Sequence, residues 1–461
     1  MSSTDSNLPM YFSALEIENV KCFGSRQILD LKDSGGAISP WTLILGENGV
    51  GKTTILKILI WMTPVEEQEE SKSGISAPMV ALKPAMDDLE NVQFEQLNGK
   101  HGGMSLKVAA SIVRGTSLRQ KPASADEIAY SVSVPFKEDG DIDDLGISTE
   151  YFGLPQFETL NLFAYSAGRH VGINNFEQPS LKSPTANLFS DSGDLYDAEQ
   201  ILSNLEFSSL REGGEGKSTR LLAKVKQVLT DLLPDIRSTE DIIINPPFNA
   251  DGKQNVYPIE VITPYGKVPF KELSLGYQTM MAWIMDLALR MFSQNPEVDD
   301  PLSQPAVVLV DEIDLHLHPK WQRDVRENLL KHFPHTQFIC TTHSPFMAQS
   351  SAGDNLVVLR RAEGEVYIQN DPQVVKEWRI GQFISELFDI GSERGPGIEK
   401  KVNRRRELLD RKDLAPEEAE ELARLDNELA DLPVDSDPAT EALLAELQRL
   451  TENYKGGGEK K

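Results

Sequence analysis

An α/β fold around a mixed sheet is the class this chain predicts, on three observations. Residues 41–45 form an apolar run that opens into Gly46-Glu47-Asn48-Gly49-Val50-Gly51-Lys52-Thr53, and residues 54–62 continue at helical spacing. Residues 307–310 and 337–342 read as further buried strands, with a helical pattern over 319–332 between them. The stretch separating these halves breaks into short pieces, so the core is split around an insertion.

Residues 1–62 read as the first part of the core, beginning with the alternation Leu15-Glu16-Ile17-Glu18-Asn19-Val20. Residues 63–160 carry β-like runs at 104–113 and 128–135 among Ser, Gly, Pro and acidic clusters, and are expected to form an inserted β-rich arm. The arm has glycines, prolines and no sustained heptads, so no long coiled coil is expected. Residues 161–268 supply helical and strand segments of the second lobe. There Leu202, Leu205, Leu221, Leu222, Val225, Val228 and Leu232 recur at helical spacing, ahead of strand-like pieces at 242–244 and 256–262. Residues 269–392 complete the core, with a helix over about 277–292. In residues 393–454, Leu422, Leu425, Leu429 and Leu432 share one helical face and Leu443, Leu444, Leu447 and Leu450 another, with Pro433 and Pro438 between them. This predicts a C-terminal helical hairpin, followed by a disordered tail over 455–461.

At 461 residues the chain is long enough for one large core with insertions, or for two to three domains. A net charge of −26 disfavours wrapping nucleic acid over most of the surface, so any DNA contact is expected to be local. One place for it is the basic run Lys400-Lys401 with Arg404-Arg405-Arg406, whose more usual reading is a solvated helix face paired to nearby glutamates. Cys22 and Cys340 match no metal-ligand spacing and are expected to be free thiols. Residues 1–10 lack a signal pattern, and the most apolar stretch, 280–292, is interrupted by Asp286 and Arg290. A cytoplasmic protein with no membrane association is the expectation.

The glycine-rich loop has the strand-loop-helix context that turns consecutive backbone N–H groups, and a helix N-terminus, toward one anion. Gly46, Glu47, Asn48, Gly49, Val50, Gly51, Lys52, Thr53 and the following Thr54 are therefore candidate ATP-binding residues. Lys52 would neutralise the β- and γ-phosphates, and the Thr53 hydroxyl would ligate Mg²⁺. The apolar strand before Asp311-Glu312 ends in two carboxylates: Asp311 suits Mg²⁺, and Glu312 suits polarising the attacking water. Ser274 and Gly276 open the 277–292 helix and suit a phosphate at its N-terminus. His343, just past a strand, could hydrogen-bond a γ-phosphate. His316 and His318 form a His-x-His pair with no third ligand nearby, which argues against a metal.

Taken in order, these segments resemble the ABC-type ATPases: residues 46–53 are similar to Walker A, 273–278 to the signature motif, Asp311-Glu312 to Walker B, Asp314 to the D-loop and His343 to the switch histidine. The wording of 311–319 and of Thr342-His343-Ser344-Pro345 resembles the RecF, SMC-like and OLD branch of AAA-family ATPases. The resemblance implies a P-loop ABC-ATPase head, ATP and Mg²⁺ as cofactors, and Glu312, His343 and Lys52 as catalytic residues. It also implies a homodimer, or a larger oligomer of dimers, in which Ser274 and Gly276 close on the ATP held by the other copy.

Asn19-Val20-Lys21-Cys22-Phe23 with Arg26 resembles a segment bordering the nucleotide in SMC-like heads, and residues 163–169 resemble a Tyr-x-x-x-Arg segment of ATPases from anti-phage operons. Asp435-Ser436-Asp437 lies between prolines in a helical region and reads as a linker rather than part of a Toprim nuclease. From residue 380 onward the chain resembles stand-alone ATPases encoded beside a nuclease in defence systems such as Septu and PARIS. That implies a separate nuclease subunit, HNH or Toprim, gated by the ATPase. The alternatives are a RecF-like DNA-repair ATPase and, less favoured, a transporter cassette.

Overall fold

The computed structural model describes residues 9–67, 81–84, 106–124, 126–134, 148–151, 160–174, 184–189, 193–249, 251–253, 255–351, 354–370, 396–409, 411 and 415–429. Along the chain the strands are β1 (Met10–Glu18), β2 (Gln27–Asp30), β3 (Trp41–Gly46), β4 (Pro64–Glu67), β5 (Ala81–Pro84), β6 (Leu106–Arg114), β7 (Glu127–Val134), β8 (Ser148–Tyr151) and β9 (Leu162–Tyr165). They continue as β10 (Arg169–Asn174), β11 (Gly193–Tyr196), β12 (Ile242–Ile244), β13 (Ile259–Thr263), β14 (Gly266–Pro269), β15 (Ala306–Val310), β16 (Thr336–Thr342), β17 (Asn355–Ala362) and β18 (Glu365–Asn370). The helices are α1 (Lys52–Trp61), α2 (Ala198–Arg211), α3 (Lys217–Leu232), α4 (Leu275–Gln294), α5 (Pro319–His332), α6 (Pro345–Ser350), α7 (Pro396–Leu409) and α8 (Pro416–Leu429).

A six-stranded sheet in the order β18-β17-β3-β16-β15-β9 forms the centre. Its strands are parallel except for β18, which closes one edge antiparallel to β17. Every residue of β3, β15 and β16 is buried, which is why none of these segments shows the apolar-polar alternation of a half-exposed strand.

Successive side chains still leave by opposite faces. Leu43, Leu45, Val308, Val310, Phe338 and Cys340 join one core with α2, α3, α4 and α5, whereas Ile44, Val307, Leu309 and Ile339 join another with α1 and the N-terminal strands.

The second layer is an antiparallel sheet in the order β2-β1-β6-β7-β8. Strand β6 pairs with β1 from Met10↔Arg114 to Glu18↔Lys107, so strands from the 63–160 segment extend the same sheet as the first strand of the chain. A bulge lies between Phe12 and Ala14, and the buried Gln337 amide of β16 satisfies both backbone groups of Phe12, at 3.0 and 2.8 Å. This bond pair fastens the two sheets together.

The chain divides into a unit spanning Met1–Asp389 and a second spanning Ile390–Lys461. In the second, α7 and α8 pack on one another and bury Leu408 and Leu425. The basic run on α7 is matched to α8: Lys401 meets Glu428 at 2.7 Å, Arg404 meets Glu421 at 2.9 Å and Arg405 meets Asp426 at 2.5 Å. The expected helix at 443–450, the Asp435–Asp437 linker, the tail and the 380–388 stretch lie outside the described residues. Among the described residues no helix is long and apolar enough to cross a membrane, and both cysteines are free.

Candidate functional site

Parallel strands β3, β16 and β15 end side by side, with Leu45 opposite Thr342 and Val310 opposite Cys340. Each hands the chain to one functional segment at the carboxyl edge of the sheet, where open α/β sheets bind ligands. The segments are the glycine loop, His343 and Asp311-Glu312.

The glycines of the loop are fixed by close approach. A Cβ on Gly46 would lie 2.9 Å from Val50 and 3.0 Å from the Leu359 carbonyl. Gly51 has φ 88, and a Cβ there would lie 2.7 Å from the Phe23 ring and 2.9 Å from Cys22 Sγ. The segment 19–23 therefore does border the loop, through Cys22 and Phe23. Arg26 instead pairs with Glu16 at an exposed position.

Lys52 is 6% exposed, and its Nζ donates to the carbonyls of Gly46 at 2.9 Å and Glu47 at 2.8 Å. The same Nζ lies 2.6 Å from His343 Nε2, so the imidazole accepts there in its neutral form. Burial pulls Lys52 down to about 8, opposed by Asp311, Glu312, Asp314 and Glu47. Burial, and then Lys52, also hold His343 below its ordinary value.

Thr53 Oγ1 donates to Asp311 Oδ2 at 2.7 Å, which brings together the two oxygens that the sequence assigned to a metal. Two hard oxygen donors beside a phosphate-binding loop fit a small cation of the magnesium type, which keeps few protein ligands.

Two residues that sequence reasoning missed orient the carboxylates. Thr341 Oγ1 donates to Asp311 Oδ1 at 2.5 Å and accepts from the Glu312 N–H at 2.8 Å; Thr342 Oγ1 donates to Asp314 Oδ1 at 2.5 Å. Their signal was the Thr-Thr pair directly ahead of His343.

Glu312 lies 4.0 Å from His343 Nε2. Burial, with Asp311 and Asp314 close by, raises its carboxyl above the usual range. Its φ of 46 is a left-handed conformation uncommon for a residue with a side chain. Arg169, from the Tyr-x-x-x-Arg segment, binds backbone carbonyls beneath this turn, and burial lowers it to about 10.

Ser274 caps α4 without a side-chain cap bond and is exposed. Gly276 is buried, and a Cβ there would stand 2.3 Å from the His316 carbonyl oxygen, so the glycine has a packing role within its own chain, against the loop that carries Asp314. The neighbouring Tyr277 meets Trp321 edge to face at 4.5 Å. His318 is the N-cap of α5, its Nδ1 accepting from the Lys320 N–H at 3.3 Å. Among the described residues no group of three or more His, Cys, Asp or Glu is arranged to hold a metal.

The chain is similar to several known proteins. The family described as AAA domain matches residues 14–237, and a second AAA-domain family, whose description names the AbiEii toxin and a Type IV TA system, matches residues 183–347. The Septu protein PtuA of Bacillus mycoides (strain KBAB4) is 26% identical over 384 residues, 82% of this chain and 45% of that protein. The Retron Ec83 probable ATPase of Escherichia coli is 39% identical over 108 residues, 23% of this chain and 20% of that protein. The chain thus spans less than half the length of these curated relatives. Among solved structures, the SMC head domain from Thermotoga maritima covers 78% of this chain and 98% of its own at 15% identity and a TM-score of 0.38. A Pyrococcus furiosus Smc head bound to the C-terminal domain of ScpA covers 83% and 100% at 15% identity and a TM-score of 0.41. The glycine loop after β3, the two carboxylates after β15 and the histidine after β16 thus lie within segments, between residues 14 and 347, that are similar to AAA domains.

Proposed function

We propose that this ATPase dimerises around two Mg-ATP molecules and gates a partner nuclease, HNH or Toprim, in a cytoplasmic anti-phage complex. The observation carrying this reading is the position of Ser274. Its side chain makes no cap bond and the residue is exposed at the start of α4, while the P-loop cluster of the same chain is assembled from the ends of β3, β15 and β16 without it. A second copy could bring that turn to the phosphate. The kinship with Septu and retron ATPases supports the defence setting.

In this mechanism the loop N–H groups and Lys52 hold the β- and γ-phosphates. Thr53 and Asp311 would hold Mg²⁺, which neutralises phosphate charge when bound. Glu312 polarises the attacking water, and His343 bonds the γ-phosphate once Lys52 turns from the imidazole to the nucleotide. ATP then bridges two copies, and hydrolysis removes the bridge.

The test is to purify the tagged chain from its native gene neighbourhood with and without ATP, beside Ser274→Arg. A nuclease subunit that co-purifies and changes its cutting with ATP, together with an ATP-driven dimer lost in Ser274→Arg, is the expected result. A chain that stays single at saturating ATP, or that brings no nuclease, would sink the proposal.

The lowered Lys52 also predicts a pH dependence. A triphosphate favours the ammonium form, so binding takes up a proton once the free chain has begun to lose it, above about 8. ATP affinity should therefore fall as pH rises past that point, by up to about tenfold per pH unit. Calorimetric titrations in two buffers of different ionisation heat would show the proton uptake directly; flat affinity and no uptake to about pH 9 would contradict it.

A further inference from the structure

Arg169 is 3% exposed and pairs with no carboxylate among the described residues. Its guanidinium donates instead to three carbonyls: Nη1 to Ser166 at 2.8 Å and Asp311 at 2.6 Å, and Nη2 to Glu312 at 2.9 Å. The planar fork of arginine can reach several acceptors in a fixed geometry, which a lysine ammonium cannot reproduce.

The third of those carbonyls belongs to a residue in a sparsely populated conformation. At φ 46, Glu312 is held from outside on both peptide groups, its N–H by Thr341 and its carbonyl by Arg169. Such conformations persist only where the surroundings over-determine them.

Arg169 in turn sits on an anchored segment. The Tyr165 carbonyl accepts from the Asp311 N–H at 2.8 Å, and the Ser166 N–H donates to Asn187 at 2.7 Å. The Tyr165 hydroxyl donates to Asp286 Oδ2 at 2.9 Å, inside α4. Asp286 is 1% exposed and also receives Arg290 Nε at 2.7 Å, while the Arg290 guanidinium lies 5.1 Å from the centre of the Tyr196 ring. The helix that begins at Ser274 is thereby bonded, through one buried phenol, to the strand end that carries the Glu312 clamp.

We infer that Arg169 is a positioning residue for Glu312, holding its peptide so that the carboxylate faces the nucleotide, and that the Tyr165–Asp286 bond ties this clamp to α4. The inference rests on the reading of Glu312 as the residue that polarises water. Arg169 then acts on turnover without touching ATP. A shift of α4 when its N-terminus engages a partner's phosphate would reach Glu312 through Tyr165.

The experiment compares ATP binding, KM and single-turnover hydrolysis for Arg169→Lys, Arg169→Met and Tyr165→Phe, each alone and combined with Glu312→Gln. Arg169→Lys and Arg169→Met are expected to lose tenfold or more in hydrolysis rate, with ATP affinity and KM within twofold of the parent. Tyr165→Phe should lose a smaller factor of about two to five. In the Glu312→Gln background the Arg169 substitutions should change the residual rate less than twofold, because no carboxylate remains to be positioned. Parental hydrolysis in Arg169→Lys, an equal loss of ATP affinity, or an undiminished loss on top of Glu312→Gln would overturn the clamp. Parental hydrolysis in Tyr165→Phe would overturn the tie to α4. If the Arg169 variants fail to fold, Tyr165→Phe alone and combined with Glu312→Gln decides by the same criteria. Unimpaired hydrolysis in Glu312→Gln alone would instead fault the underlying role of Glu312.

Discussion

Glu312→Gln is expected to bind ATP as tightly as the parent chain, to hydrolyse it about 100-fold more slowly or worse, and to accumulate as an ATP-bound dimer. The amide keeps the size and the backbone hydrogen bonds of the glutamate, since Thr341 and Arg169 hold main-chain atoms and not the carboxylate. Only the proton-accepting oxygen is lost, and a positioned base contributes about 10² to 10⁴ in rate. Binding should survive because the groups proposed to hold the phosphates, the loop N–H donors and Lys52, are untouched. The carboxyl is already raised by burial and by Asp311 and Asp314, so the neutral side chain removes a repulsion rather than an attraction. Rapid-quench hydrolysis with sedimentation in ATP reads both halves of the expectation. Undiminished turnover would take Glu312 out of the reaction, and slow turnover without a dimer would separate hydrolysis from assembly.

The main lines of this site were legible because parallel strands buried on both faces write themselves as continuous apolar runs. Residues 41–45 and 307–310 stand out for that reason, 337–342 less so because Gln337, Thr341 and Thr342 flank its apolar centre, and glycine spacing marks the loop that follows the first. The chemistry at the strand ends was legible by adjacency, since Asp311, Glu312 and His343 each directly follow a strand. What stayed hidden depends on packing between distant segments. The pairing of β1 with β6 joins residues about a hundred apart, and no local pattern distinguishes it from an independent arm. Gly276 looked like a phosphate-binding glycine, yet its lack of a Cβ is also demanded by the His316 carbonyl, a constraint set by tertiary packing. Arg169 was visible as a candidate beside a strand, but its hydrogen bonds among the described residues go to three backbone carbonyls, which no pattern of side chains reveals.

Lys52→Met should separate nucleotide binding from folding more sharply than any other substitution in the chain. Lys52 is 6% exposed, and burial holds its ammonium at about 8 against an ordinary 10.5. Below about pH 8 the folded state therefore carries a charge that it disfavours relative to the unfolded chain. Methionine removes that charge and keeps most of the stem, so the variant should melt no lower than the parent near neutral pH, despite losing the bonds to Gly46, Glu47 and His343. ATP meets the opposite change. Asp311, Glu312, Asp314 and Glu47 all act on Lys52, and without its charge a triphosphate approaches an acidic cluster with less positive charge to offset it. Affinity should fall by about 100-fold or more, the scale expected when a charge-assisted bond to phosphate is removed from a partly buried site. Melting curves with and without ATP measure both effects in one series: the parent gains stability from the nucleotide and Lys52→Met gains none. A variant that still gains stability from ATP would move the phosphate site away from Lys52, and one that melts far below the parent would mean that the lysine is there to hold the loop together.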